Sequence, residues 1–75
     1  MDEKTLNSLR GAIADWEAET FHLPEVWGET WDDLPIGEKV KTGNAFLRAV
    51  RDGRVPEAED TGRKAGGGRL YRKLD

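Results

Sequence analysis

The sequence has no cysteine, a single histidine and no long apolar run, and each absence excludes a class of protein. Without cysteine there can be no disulfide and no thiolate zinc site, which fits a reducing cytoplasm. His22 has no second His or Cys with which to share a metal, so we expect neither a metal nor another cofactor. No stretch of 18 apolar residues is present to span a membrane, and Met1-Asp2-Glu3 does not resemble the start of a signal peptide. We therefore expect a cytoplasmic protein that does not contact the membrane.

Large aliphatic residues are also scarce. Leu, Ile, Val and Phe together number 15 of the 75 residues, close to the composition of disordered chains. Three tryptophans favour a folded chain with a thin core, and the length allows a single domain over residues 1–75. No arrangement of a nucleophile with a base, or of paired carboxylates, is visible. The Gly-rich stretch lacks the Gly-Lys-Ser/Thr sequence of a phosphate-binding loop, so we expect no enzyme activity.

Charge is divided unevenly along the chain. Residues 1–38 carry ten acids and two basic residues, and residues 39–75 carry ten basic residues and five acids, which gives −8 and +5. Such a division is typical of an acidic segment beside a surface that contacts an anion. The alternative is that the two halves attract each other within the fold.

The N-terminal segment, residues 1–22, predicts an acidic amphipathic helix from about Glu3 to Thr20. Its apolar residues recur at helical spacing and form one face: Leu6, Leu9, Ile13 and Trp16. Asp2 is placed to cap the start, and Pro24 lies beyond the end.

Residues 30–53 predict a helical core made of a short turn and a second long helix. Thr30 and Asp33 have the spacing of a capping box. The long helix is expected from Pro35 to Asp52, with Gly53 in the left-handed conformation after it. Its apolar face is predicted to comprise Val40, Gly43, Leu47 and Val50, with Phe46 on the flank and Gly43 allowing another element to approach.

Residues 54–75 predict a basic β-hairpin. Residues 61–68 have the composition of a loop, and the side chains from Arg69 to Leu74 alternate as in a strand. The fold class expected is therefore α+β: a small helical domain, with two long helices and a short helical turn, that carries a C-terminal β-hairpin wing.

Two basic sets form the leading candidate site, a nucleic-acid interface. The set on the second helix occupies an arc of about 80° beside the predicted apolar face and suits base edges and phosphates: Lys41, Asn44, Arg48 and Arg51. The set on the hairpin suits phosphates, with a tyrosine beside it that could stack on a base: Arg63, Lys64, Arg69, Tyr71, Arg72 and Lys73. Duplex DNA is the expected ligand. Both sets could instead be solvated surface, with Arg48 paired to Asp52.

A second hypothesis is a protein-interaction adaptor or inhibitor. The acidic half would bind a basic protein partner through Glu25 and Glu29, with Trp27 as the apolar anchor. The apolar stripe of the first helix could also make a homodimer. If the acidic residues lie away from the basic stripe, DNA binding remains possible; if they interleave with it, the adaptor is favoured.

Residues 31–73 resemble a small uncharacterised bacterial and phage domain family of unknown function. The resemblance rests on the Trp31-x-x-Leu34 start, Gly43 and Phe46 within a helix, the Val50-x-x-Gly53 turn and Tyr71 near the end. It implies one compact module, and a phage or mobile-element origin is among its implications. The run from Phe46 to Pro56 is also similar to the helix-to-wing junction of excisionase and MerR-type winged helices, which implies a DNA-binding regulator.

Overall fold

The computed structural model describes residues 1–66 and 68–74. In chain order the elements are helix α1 (Glu3–Ala14), strand β1 (Thr20–Phe21), helix α2 (Leu23–Trp27), a 3₁₀ helix (Glu29–Asp33), helix α3 (Ile36–Arg51), strand β2 (Ala58–Ala65) and strand β3 (Gly68–Lys73). This is an α+β fold with a C-terminal antiparallel hairpin, as predicted. Gly67 of the predicted loop and Asp75 of the predicted C-terminal segment lie outside the described residues.

The three strands form one antiparallel sheet in the order β1-β3-β2. Phe21 of β1 pairs with Tyr71 of β3, so a segment near the N-terminus is joined to the end of the chain. At the same end of the sheet, the Lys73 ammonium donates to the Trp16 carbonyl and, at 2.9 Å, to the Ala14 carbonyl. The last strand is therefore the centre of the sheet.

Helix α1 begins as predicted and ends earlier. The Asp2 carboxylate accepts the Thr5 N–H at 2.7 Å, which lowers the pKa of that carboxyl. Leu6, Leu9 and Ile13 are all buried, but the helix stops at Ala14 instead of Thr20. The residues that would continue the apolar face, at positions 17 and 20, are Glu and Thr. Trp16 of the predicted stripe lies beyond the helix, where it packs against the core and donates its indole N–H to the Thr20 carbonyl at 3.1 Å, and the extended strand then buries Phe21.

The segment after α1 contains a short helix that the sequence pattern did not indicate. In α2, the Glu25 carboxylate accepts the His22 N–H at 2.7 Å. The 3₁₀ helix that follows has no side-chain cap, so the predicted capping box at Thr30 and Asp33 is wrong.

Helix α3 and its C-terminal cap agree closely with the prediction. It spans Ile36–Arg51, against Pro35 to Asp52 expected. Gly53 has a φ of +78°, and its N–H donates to the Val50 carbonyl at 3.1 Å while the Arg54 N–H donates to Ala49 at 2.9 Å. These bonds satisfy carbonyls that the helix end leaves open.

The buried face of α3 differs from the predicted one. Phe46 is fully buried, with Ala49 and Val50 beside it, whereas Val40 is 58 % exposed. The Phe46 ring packs edge-on against Phe21 and Tyr71, at centroid distances of 6.5 and 4.9 Å. This aromatic cluster rotates α3 by about a quarter turn from the predicted orientation. A Cβ at Gly43 would meet nothing within 4 Å, so the prediction that another element approaches this glycine is wrong.

The hairpin is longer than predicted, and its first strand contains a bulge. Strand β2 continues to Ala65 through most of the predicted loop, with an irregularity in register between Asp60 and Arg63. There Gly62 has a φ of +74°, and its N–H donates to the Asp60 carboxylate at 3.0 Å. The Thr61 hydroxyl donates to the Leu70 carbonyl at 2.7 Å, which holds the bulge to β3.

Among residues 1–66 and 68–74, no helix has both the length and the apolar character needed to cross a membrane.

Candidate nucleic-acid interface

The predicted helical set lies on the outer side of α3. Lys41, Asn44, Arg48 and Arg51 are all exposed. At about 100° per residue they project roughly 140–160° away from the buried Phe46. The prediction that these four side chains lie beside the apolar face of α3 is therefore wrong. They lie on the side of the helix almost opposite the core, where a ligand can reach them.

A groove of about 690 Å³ separates α3 from the tip of the hairpin. One wall is formed by α3, with Lys39, Val40, Gly43, Asn44 and Leu47, and the other by the hairpin, with Lys64, Gly66, Gly68 and Arg69. The remaining wall comes from the start of α2 and from the 3₁₀ helix, through residues 22–25 and Trp31. Four predicted nucleic-acid site residues from three elements, Asn44, Lys64, Arg69 and Tyr71, thus border one cavity.

His22 holds the hairpin tip against this groove. Its ring Nδ1 lies 3.0 Å from the Arg69 carbonyl, and this geometry makes Nδ1 the donor. A Cβ at Gly66 would lie 3.5 Å from the His22 Nε2 atom, and one at Gly68 would lie 3.7 Å from Nδ1. A side chain at either glycine would thus make ordinary van der Waals contact with the imidazole beneath the hairpin tip.

Four of the predicted ligand-binding cations are engaged within the protein. Arg69 and Arg51 both pair with the Asp60 carboxylate, at 3.0 and 3.3 Å. Arg72 pairs with Glu59 across the hairpin. Lys73 donates to the carbonyls of Ala14, the last residue of α1, and of Trp16 just beyond it. The pKa of the Asp60 carboxyl is lowered, first by the Gly62 N–H and then by Arg69. These cations stabilise the hairpin, and they have less freedom to reach a phosphate.

Tyr71 is a core residue. Its side chain is almost fully buried, and its ring stacks on Phe21 at a centroid distance of 5.5 Å. Burial raises the pKa of the phenol to about 12. The ring face is not available to a nucleobase, contrary to the prediction.

The other predicted residues have side chains that make no hydrogen bond or ion pair with residues 1–66 and 68–74. They are Lys41, Asn44, Arg48, Arg63 and Lys64, and all are exposed. In particular, the alternative pairing of Arg48 with Asp52 is not formed. These five side chains are free to contact a ligand.

The ion pairs do not cancel the charge division between the halves. Within the described ranges, the pair that joins them is Arg10 with Glu57 at 2.9 Å, and it takes a cation from the acidic half. The Arg10 guanidinium lowers the pKa of the Glu57 carboxyl. The other three pairs lie within the basic half. The ion pairs therefore leave each half of the sequence with its excess of charge, but the fold does not keep the two apart everywhere: Lys41 lines one pocket together with Asp2 and Glu38.

Comparison with known families places the chain. A family model described as a domain of unknown function, DUF1413, matches residues 14–73. The chain belongs to the DUF1413 family. The match runs from the end of α1 through β3, so it begins earlier than the resemblance over residues 31–73 indicated. No curated protein and no solved structure matches the chain. The similarity to excisionase and MerR-type proteins stays a prediction.

Two of the three residues of the adaptor hypothesis, Glu25 and Trp27, have local structural roles in this DUF1413 domain. Glu25 caps α2. Trp27 is partly buried, packs edge-on against Trp31 at 5.5 Å, and donates its indole N–H to the Thr30 hydroxyl at 3.1 Å. Glu29 is exposed in the 3₁₀ helix.

The apolar stripe of α1 does not support the predicted homodimer. Its residues Leu6, Leu9 and Ile13 are buried in the domain's own core. That stripe is therefore not available to a second copy.

Several groove residues of the DUF1413 domain were missed by the sequence reasoning, above all His22, Lys39 and Val40. Val40 was assigned to the core because it shares helical spacing with Leu47. His22 carried no signal, since its partner Arg69 lies 47 residues away.

Among residues 1–66 and 68–74, no group of three or more His, Cys, Asp and Glu side chains could hold a metal ion.

Proposed function

We propose that this DUF1413 domain is a small, cytoplasmic, non-enzymatic nucleic-acid-binding module with a regulatory role, in which α3 and the hairpin bind the ligand together in the manner of a winged helix. The observation that carries the proposal is the placement of the free polar side chains. Asn44 of α3 and Lys64 of β2 line opposite walls of one groove, and the other predicted site cations that make no ion pair within the described residues, Lys41, Arg48 and Arg63, lie on the same two elements.

The chemistry of each side chain suits such a ligand. Arg48 can donate two parallel hydrogen bonds to guanine, and Asn44 can pair with the donor and acceptor of adenine. Lys41, Arg63 and Lys64 suit phosphate oxygens, which fix the position of the nucleic acid without reading its sequence. A helix beside a hairpin thus supplies both kinds of contact.

The acidic half restricts how the ligand is oriented. Its charge of −8 lies entirely in residues 15–38, which hold eight acids and no Lys or Arg, so it repels phosphates from the segment between α1 and α3. With a net charge of −3 for the whole chain, binding depends on the local basic surface and weakens quickly with salt. If Lys41, Arg48, Arg63 and Lys64 each neutralise one phosphate, the slope of log affinity against log salt for a duplex is about −3 to −4.

Fluorescence anisotropy tests this proposal. A labelled mixed-sequence duplex and one of its strands are titrated with protein at salt concentrations of about 50 to 200 mM. We expect Arg63→Ala to make the slope shallower by about 1, and Arg48→Ala to weaken specific binding by roughly 1–3 kcal/mol. The matched control is Lys4→Ala, which removes one exposed cation from α1 on the acidic half.

Two results would refute the proposal. One is the absence of binding to either nucleic acid at the lowest salt. The other is an equal loss from Lys4→Ala and Arg48→Ala, which would indicate a nonspecific effect of net charge.

A further inference from the structure

The groove between α3 and the hairpin is lined mainly by apolar side chains, with polar groups among them. Leu23 and Tyr71 lie deep in the protein, Trp31 and Leu47 are partly buried, and Val40 is 58 % exposed. The polar lining includes Lys39, Asn44 and Lys64, together with His22 and Arg69 beneath the hairpin tip. Its volume of about 690 Å³ lies in the range of cavities that hold small organic groups.

Gly43 keeps this groove open. It lies in the middle of α3, where glycine costs a helix about 1 kcal/mol relative to alanine. A Cβ at this position would meet nothing within 4 Å, so packing within the described residues does not require glycine. The missing side chain instead leaves space on the groove wall, between Val40 and Leu47.

Two polar groups that border the groove have no partner among residues 1–66 and 68–74. The Asn44 amide offers a donor and an acceptor side by side. The Trp31 indole N–H makes no hydrogen bond there, whereas the indoles of Trp16 and Trp27 donate to Thr20 and Thr30. The groove thus combines apolar surface with free hydrogen-bonding groups.

We propose that this groove binds an unpaired nucleobase, so that single-stranded nucleic acid is the preferred ligand; this inference rests on the function proposed above. Burying a phosphate against Leu47 and Val40 would be costly, because a charge loses its hydration in apolar surroundings. A base instead presents apolar faces and a polar edge, which match the groove lining and the Asn44 amide. Lys39 and Lys64 would then hold the flanking phosphates.

The charges decide between a nucleic acid and a peptide. Among residues 1–66 and 68–74, the polar lining carries two cations that make no ion pair, Lys39 and Lys64. Arg69 also lines the groove but pairs with Asp60, and the carboxylate of the acid Glu25 already accepts the His22 N–H. This favours an anionic ligand, and the amide favours a base edge over a carboxylate. In a duplex the bases are stacked and paired, so only an unpaired strand can present one to the groove.

The test uses Gly43→Leu, which fills the groove, with Gly43→Ala as the matched control. Because a Cβ there has open space, we expect both variants to fold, as circular dichroism and thermal unfolding would show. The probes are a labelled mixed-sequence 12-nucleotide strand, its duplex and a 12-residue peptide of alternating Glu and Leu. We expect the wild type to bind the single strand about tenfold more tightly than the duplex. Gly43→Leu should abolish this preference by weakening single-strand binding more than duplex binding, and Gly43→Ala should retain it.

Other outcomes separate the two proposals. If the strand and the duplex bind equally, and both are weakened by Arg48→Ala but not by Gly43→Leu, the nucleobase site is refuted and the nucleic-acid function stands. If neither nucleic acid binds, both proposals fail. If only the peptide binds, and Gly43→Leu weakens that binding, the groove is a peptide site and the nucleobase assignment is overturned.

Discussion

Two alanine substitutions, at Gly43 and Gly53, should change stability in opposite directions. In both positions a Cβ would meet nothing within 4 Å, so neither substitution creates a clash. The backbone conformation differs, since Gly43 is helical whereas Gly53 has a φ of +78°. The pair therefore isolates the effect of the backbone from that of packing.

The magnitudes follow from this difference. Gly43→Ala should raise the free energy of unfolding by about 0.5–1 kcal/mol, because alanine loses less conformational freedom in a helix. For a domain of this size that corresponds to a Tm about 2–8 °C higher. Gly53→Ala should lower the free energy of unfolding by about 1–2 kcal/mol, because an L-residue is strained in the left-handed region.

Urea unfolding followed by far-ultraviolet circular dichroism measures both effects. The midpoint should move up for Gly43→Ala and down for Gly53→Ala, with the dependence on urea unchanged. A destabilised Gly43→Ala would refute the open environment described for this part of α3. An unchanged Gly53→Ala would refute the assigned role of Gly53 in the helix cap.

Two further predictions concern the core and the hairpin. Phe46→Ala should lower the free energy of unfolding by about 3–5 kcal/mol, because the ring is fully buried between Phe21 and Tyr71. This is a large part of the stability of a small domain. A decrease below about 1 kcal/mol in urea unfolding would contradict the placement of Phe46 in the core. The Asp60 carboxyl has a lowered pKa in the folded state, so its contribution to stability is complete above its ordinary pKa of about 4 and is lost as the pH falls. Asp60→Asn should therefore lower the free energy of unfolding at pH 7, and it should make that free energy fall less steeply between pH 5 and pH 2 than in the wild type. If the variant loses as much stability as the wild type over this range, the pH dependence belongs to other groups.

The parts of the fold that local sequence determines were predicted well. The α3 boundaries follow from Pro35 at the start and Gly53 after the end, and both act within one helical turn. The Asp2 cap is equally local. The hairpin was recognised from the alternation of residues 69–74, although the continuation of β2 through Gly62 was not.

The orientation of α3 could not be obtained from its own sequence. Val40 and Leu47 share helical spacing with Val50, but Phe46 and Ala49 share it too, so two apolar faces were compatible with the pattern. Contact with Phe21 and Tyr71, both more than 20 residues away, selects the second face. Strand β1 has only two residues and shows no periodicity at all.

The same dependence on distant contacts limited prediction of the candidate site. The helical set is exposed as expected, because its positions on α3 are all polar. The engagement of Arg69 and Arg51 by one carboxylate depends on the register of the hairpin and its packing on α3. The groove itself combines residues from five elements, and no one-dimensional pattern describes such a cavity.

The position of β3 at the centre of the sheet has a consequence for folding during synthesis. Both neighbours of this strand, β1 and β2, are made before it, and neither can pair until it leaves the ribosome. Until then Phe21 and Phe46 lack the Tyr71 ring that covers them. Because contacts between distant residues slow folding, α1 and α3 of the nascent chain share an incomplete core until β3 has been synthesised.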